Sequence, residues 1–95
     1  MNESEGGRIA LQGNLTIETV PALYETGLQH LAKQDLLVDF SQTGAVDSAA
    51  VSMLLGWARA AQQAQRSLQV KGLPGNLLSL ARLYGVAELL PQQSA

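Results

Sequence analysis

The residues of this chain best suited to chemistry are Asp47 and Ser48. They stand between an apolar run, Leu36-Leu37-Val38-Asp39-Phe40, and the longest stretch of helical periodicity, which opens at Ala49-Ala50-Val51. A strand that feeds a helix through a short loop delivers its loop residues to a helix start. There the backbone N–H groups lack intrahelical partners and carry partial positive charge. Asp and Ser are the residue types that cap such donors, a cap being worth roughly 0.5–2 kcal/mol. A serine hydroxyl at a loop tip also stays open to a protein partner or a kinase, so capping and contact are compatible uses of the pair.

Other chemistry finds little support. The chain has one histidine and no cysteine, which excludes disulfides and thiolate metal sites. A Ser-His-Asp arrangement would have to use His30, and the pattern gives that residue no carboxylate neighbour. It reads as a solvated helix-face histidine. Asp39 and Asp47 flank one strand-to-loop segment and could be imagined as a magnesium pair; a strand-end surface group and a cap are the simpler assignments. Gly6-Gly7 precedes the first strand, the wrong side for a phosphate loop, and there is no Walker or dinucleotide fingerprint. The sequence therefore predicts no catalytic residue, no metal, no cofactor and a non-enzymatic protein.

The elements that must position Asp47 and Ser48 follow from periodicity. Residues 1–7 form an acidic, polar lead-in without the apolar core of a signal peptide. Residues 8–13 alternate as a half-buried strand does. Thr16 or Thr19 can cap a first helix that tolerates Pro21 in its first turn. Its buried face is Val20, Leu23, Tyr24, Gly27, Leu28 and Leu31. Residues 36–40 are nearly continuous apolar sequence, typical of a central parallel strand covered on both faces. The second helix runs to about Gln65, with Val51, Leu54, Leu55, Ala58 and Ala61 toward the core and Trp57 at the margin.

The opposite face of that helix reads Ala49, Ser52, Gly56, Ala60 and Gln63, mostly small. Small residues at helical spacing let another surface approach closely. Glycine within a helix costs roughly 1 kcal/mol relative to alanine, so Gly56 asks for a reason. Met53 and Trp57 flank the stripe and belong to residue types that suit interfaces. A docking face and a bland solvated face both fit this pattern. Residues 67–72 then read as a third strand. Residues 74–76 turn into a last helix with Leu77, Leu80, Ala81 and Tyr84 on one side, Gly85 stops it, and 92–95 form a polar tail.

The order strand–helix–strand–helix–strand–helix predicts one small α/β domain over residues 8–91: a mixed, mostly parallel sheet with helices packed on it. Hydrophobic residues make up 46% of the chain and charged ones 15%, so it folds rather than staying disordered. No apolar run is long enough to span a bilayer. With a net charge of −2 and scattered basic residues, nothing here suits a phosphate backbone or an anionic lipid surface. The expected address is the cytoplasm.

Leu37-Val38-Asp39-Phe40-Ser41 followed by Val46-Asp47-Ser48-Ala49-Ala50-Val51-Ser52-Met53-Leu54-Leu55 resembles the signature of the STAS domain family: an apolar strand, Val-Asp-Ser/Thr-Ser/Gly-Gly, and an apolar helix. Gly13-Asn14-Leu15-Thr16 is similar to that family's turn before its first helix, and Leu80-Ala81-Arg82-Leu83-Tyr84-Gly85-Val86 to its last helix. Ala50 departs from the pattern, standing where many members have glycine. The resemblance implies a domain that works by protein contact, and two branches present themselves. One is the STAS subunit of the Mla phospholipid-transport ABC complex, which docks on the cytoplasmic ATPase and serves outer-membrane lipid asymmetry; the ending of this chain, Leu89-Leu90-Pro91 included, is similar to that branch. The other is the anti-sigma factor antagonists, in which the residue matching Ser48 is phosphorylated by an anti-sigma factor kinase. The Mla-type branch is favoured. The partner-binding residues expected are Asp47, Ser48, Ala49, Ser52 and Gly56, with Ser48 the phosphorylation candidate. The chain would sit at the inner face of the cytoplasmic membrane only through its partner.

Overall fold

A computed structural model describes residues 3–5 and 7–93. Five strands form one sheet in sequential order: β1 (Glu3–Glu5), β2 (Arg8–Leu15), β3 (Leu36–Val46), β4 (Leu68–Lys71) and β5 (Gln92–Gln93). β1 pairs antiparallel with β2, and the pairs β2–β3, β3–β4 and β4–β5 are parallel. Helices α1 (Val20–Leu31), α2 (Ser48–Ala64) and α3 (Gly75–Leu83) make the crossovers, and one 3-10 turn, Ala87–Leu89, precedes β5. This is the expected mixed, mostly parallel α/β sheet. The short strands β1 and β5 extend it beyond the elements that periodicity predicts, into what reads as lead-in and tail. Residues 1, 2, 6, 94 and 95 of those segments lie outside the described residues.

The sheet is covered on one face, not two. Ile9, Val38 and Val70 are aligned across β2, β3 and β4 and are all buried. The neighbouring rows, Arg8–Leu37–Gln69 and Ala10–Asp39–Lys71, point the other way and are half-buried or exposed. Adjacent parallel strands joined in order by right-handed crossovers put every connecting helix on the same side. Leu37 is thus apolar without lying under a helix. On the open face Arg8 reaches Asp39 at 3.8 Å.

β3 also runs past Phe40, where the apolar run ends, to Val46. Two irregularities in its pairing with β2 each insert one extra residue on β3. Local hydrogen bonds hold them. The Ser41 N–H donates to Asp39 Oδ1 (2.9 Å), Thr43 Oγ1 donates to the Phe40 carbonyl (2.8 Å), and the Ala45 N–H donates to Asn14 Oδ1 (3.0 Å). The polar run Ser41-Gln42-Thr43-Gly44 reads as a loop in sequence and is bulged strand in the fold. As a result β3 delivers its last residue directly to Asp47.

Candidate docking surface

Asp47 adopts an extended backbone (φ −130°, ψ −170°) at the N-cap of α2, and its Oδ1 accepts from the Ala49 N–H at 2.8 Å. The carboxylate does more than cap. Its Oδ2 accepts the Ile17 N–H at 3.1 Å, thirty positions away in the chain, and the Asp47 N–H donates to the Leu15 carbonyl at 3.1 Å. The start of α2 is thereby tied to the turn between β2 and α1. Within that turn Thr19 occupies the N-cap position of α1, but its hydroxyl bonds inside the turn instead of to the helix. It accepts from the Thr16 N–H (3.0 Å) and donates to the Asn14 carbonyl (2.8 Å).

Ser48 is the first residue of α2. Its side chain is exposed, and no hydrogen bond to a described residue engages its hydroxyl. Beside it the first turns of α1 and α2 enclose an open groove of about 650 Å³. Ile17, Val20, Pro21 and Tyr24 supply one wall, and Ser48, Ala49, Ser52 and Met53 the other. Ile17 is 74% exposed, a large apolar side chain standing at the rim. Asp47 contributes the groove's one charged group, and both its oxygens are already engaged.

The predicted stripe on α2 divides. Ala49 and Ser52 line the groove beside Ser48. Gly56 instead lies under the Tyr24 ring: a Cβ there would sit 2.7 Å from Tyr24 Cε1 and Oη. Its reason is close approach of α1, and it touches the groove through Tyr24. Ala60 and Gln63 lie farther along the same seam, in a shallow crevice with Leu28, Leu31 and Ala32. Met53 and Trp57, expected to flank the stripe, are core residues, 2% and 0% exposed. The Trp57 indole packs against Gly27, where a Cβ would collide with the ring, and its Nε1–H donates to the Tyr24 carbonyl at 2.9 Å. Leu55 and Ala58, expected in the core, are half-buried. The burial face of α2 is therefore turned toward α1 relative to the periodicity estimate.

Ile17, Pro21 and Tyr24 were not singled out by sequence as contact residues. The available signal was Ile17 itself, a β-branched apolar residue in the polar turn Thr16-Ile17-Glu18-Thr19, belonging to neither predicted element. His30 lies in the last turn of α1 with Nδ1 facing the Gln34 side-chain amide (3.4 Å), outside the residues that line the groove. Asp39 and Asp47 are not brought together; the seven residues 40–46 of β3 separate them, on the order of 20 Å. Among the described residues no group of three or more His, Cys, Asp or Glu could hold a metal ion.

In this chain a bulged parallel strand thus hands an Asp-Ser pair to the helix that follows it. Residues 2–91 match the family described as "Mlab, STAS domain". The chain belongs to this STAS family. Its fold is shared with solved structures of low sequence identity. A Thermotoga maritima protein assigned as an anti-sigma factor antagonist superposes with TM-score 0.77 at 10% identity, covering 100% of this chain and 86% of that one. The anti-sigma factor antagonist SpoIIAA, in its unphosphorylated form, gives 0.75 at 14% identity, covering 100% and 87%. A chain of the Acinetobacter MlaFEDB complex, in its ATP-bound Vtrans1 conformation, gives 0.75 at 23% identity, covering 96% and 97%. No curated protein sequence matches significantly. No helix among the described residues is long and apolar enough to cross a membrane.

Proposed function

We propose that this STAS domain is a non-enzymatic subunit of an Mla-type phospholipid-transport ABC complex, held in the cytoplasm against the transporter's ATPase. The observation that carries this reading is the groove beside Ser48, with Ile17 exposed at its rim. A mostly apolar concavity edged by small residues and one large apolar side chain suits the insertion of a partner's side chains, with little polar surface to desolvate. The match over residues 2–91 to the family described as "Mlab, STAS domain" favours the transporter branch. In this reading Ser48, Ala49 and Ser52 meet the ATPase directly, Asp47 shapes the loop, and Gly56 acts by seating Tyr24.

A second reading has one observation of its own. Ser48 is exposed at a helix N-terminus, where added phosphate would be stabilised by the helix dipole while placing charge and bulk in the contact surface. That is what an anti-sigma factor antagonist switched by an anti-sigma factor kinase requires. Affinity purification of the tagged chain from its own cells, with mass spectrometry of the partners and of the Ser48 peptide, separates the two. The transporter reading expects an ABC ATPase with its permease and unmodified Ser48. Recovery of a histidine-kinase-like ATPase, with phosphate on Ser48, would replace it with the second.

A further inference from the structure

We infer that Asp47 is a positioning residue for partner binding, holding Ile17 at the groove rim with the carboxylate oxygen that capping does not need; this rests on the groove being the ATPase docking surface. A helix cap requires one acceptor, and Ser or Asn supplies it about as well as Asp. Asp47 uses two. Oδ1 takes the Ala49 N–H within α2, and Oδ2 takes the Ile17 N–H from the turn before α1. Ile17 itself buries little of its side chain, being 74% exposed, so packing does not fix it. Its backbone is held instead, by the Oδ2 bond and by the adjoining Asp47 N–H to Leu15 carbonyl bond. A charge-assisted bond to the very residue that carries the exposed side chain is a means of ordering that side chain's base before the partner arrives. Preorganisation of this kind raises affinity without adding a contact.

Asp47→Ser tests this, because a serine hydroxyl caps α2 but is too short to reach Ile17. Thermal stability is expected to stay close to wild type while exchange protection of the Ile17 amide falls. Affinity for the ABC ATPase subunit recovered with the tagged chain is expected to fall on the order of tenfold, the size of one lost ordering bond. Ile17→Ala is expected to weaken binding similarly, and the double variant little further, since both remove the same held side chain. Asp47→Asn, which keeps one acceptor and sets an amide donor against the second N–H, is expected to repeat the Ser result and serves if Asp47→Ser does not fold. Wild-type affinity for both Asp47 variants, or full additivity with Ile17→Ala, overturns the positioning role alone. Unchanged ATPase binding by both Ile17→Ala and Ser48→Arg overturns the docking surface itself.

Discussion

At the scale of single residues the proposed docking surface depends on what Ser48 presents. Its side chain is exposed and uninvolved in the fold, so its replacement acts on the partner and leaves stability within about 0.5 kcal/mol, as for most surface changes. Ser48→Arg places a long charged group at the groove mouth, where docking would desolvate it without a counter-ion. Complex formation with the proposed ATPase partner should be abolished with circular dichroism and Tm unchanged, and a variant that co-purifies normally removes Ser48 from the interface. Ser48→Ala and Ser48→Asp divide the two functional readings. A transporter subunit that merely contacts its partner should tolerate alanine and lose part of its affinity with aspartate. A phospho-switch should show complete release by aspartate against wild-type binding by alanine in a pull-down. Asp47 illustrates how far sequence reaches at this scale. Its capping role was legible from Val46-Asp47-Ser48 alone, because capping is local. Its bond to Ile17 was not, because that pair is thirty residues apart and meets only when β2 and β3 align.

At the scale of elements, the seam between α1 and α2 decides the groove's shape. Two glycines on opposite helices each receive an aromatic ring from the other: Gly27 lies against Trp57 and Gly56 against Tyr24. The two sites should respond differently to alanine. At Gly27 the obstructing group is a fully buried indole tethered by its hydrogen bond to the Tyr24 carbonyl, so it cannot yield. Gly27→Ala should destabilise by about 1–3 kcal/mol or more, the usual cost of overpacking, read as a lower urea midpoint. At Gly56 the obstructing atoms are the far end of a half-buried tyrosine that can swing outward, and the gain in helix propensity, about 1 kcal/mol, offsets much of the strain. Gly56→Ala should therefore remain near wild-type stability yet weaken binding of the proposed ATPase partner by moving Tyr24 into the groove. A loss of stability as large as that of Gly27→Ala would mean that Tyr24 is as fixed as Trp57. The periodicity of α2 misplaced Trp57 because it assumes one buried face. α2 packs on the sheet and on α1 together, so its burial spans a wider arc than a helix lying on a sheet alone.

At the scale of the whole molecule, the strand–helix alternation and the parallel core of the sheet were legible because each is written in periodicity and in the handedness of crossovers. One-sided coverage was not, since Leu36-Leu37-Val38 reads alike under one layer of helices or two. The bulged end of β3 and the short strands β1 and β5 escaped for a related reason: they are polar segments whose strand character comes from pairing with a neighbour, not from their own pattern. The open face that results carries Asp39, and its environment links that face to the stability of the fold. Chiefly the Ser41 backbone N–H, then the Ser41 hydroxyl, with Lys71 and Arg8 adding to them against partial desolvation, holds the Asp39 carboxyl below its ordinary value of 3.8. A carboxyl depressed in the folded state binds its proton more readily when unfolded. Its contribution is therefore complete above the unfolded value and is lost as pH falls through the folded one. Urea midpoints measured from about pH 6 to about pH 2 should fall for the wild type, as they do when paired carboxylates protonate. Asp39→Asn should be less stable at the neutral end, and its deficit should shrink below 3.8. The remaining carboxylates titrate in both proteins, so the difference between the two curves isolates Asp39. Curves that stay parallel throughout would mean that the charge on Asp39 does not help hold the first bulge of β3, between Asp39 and Gln42.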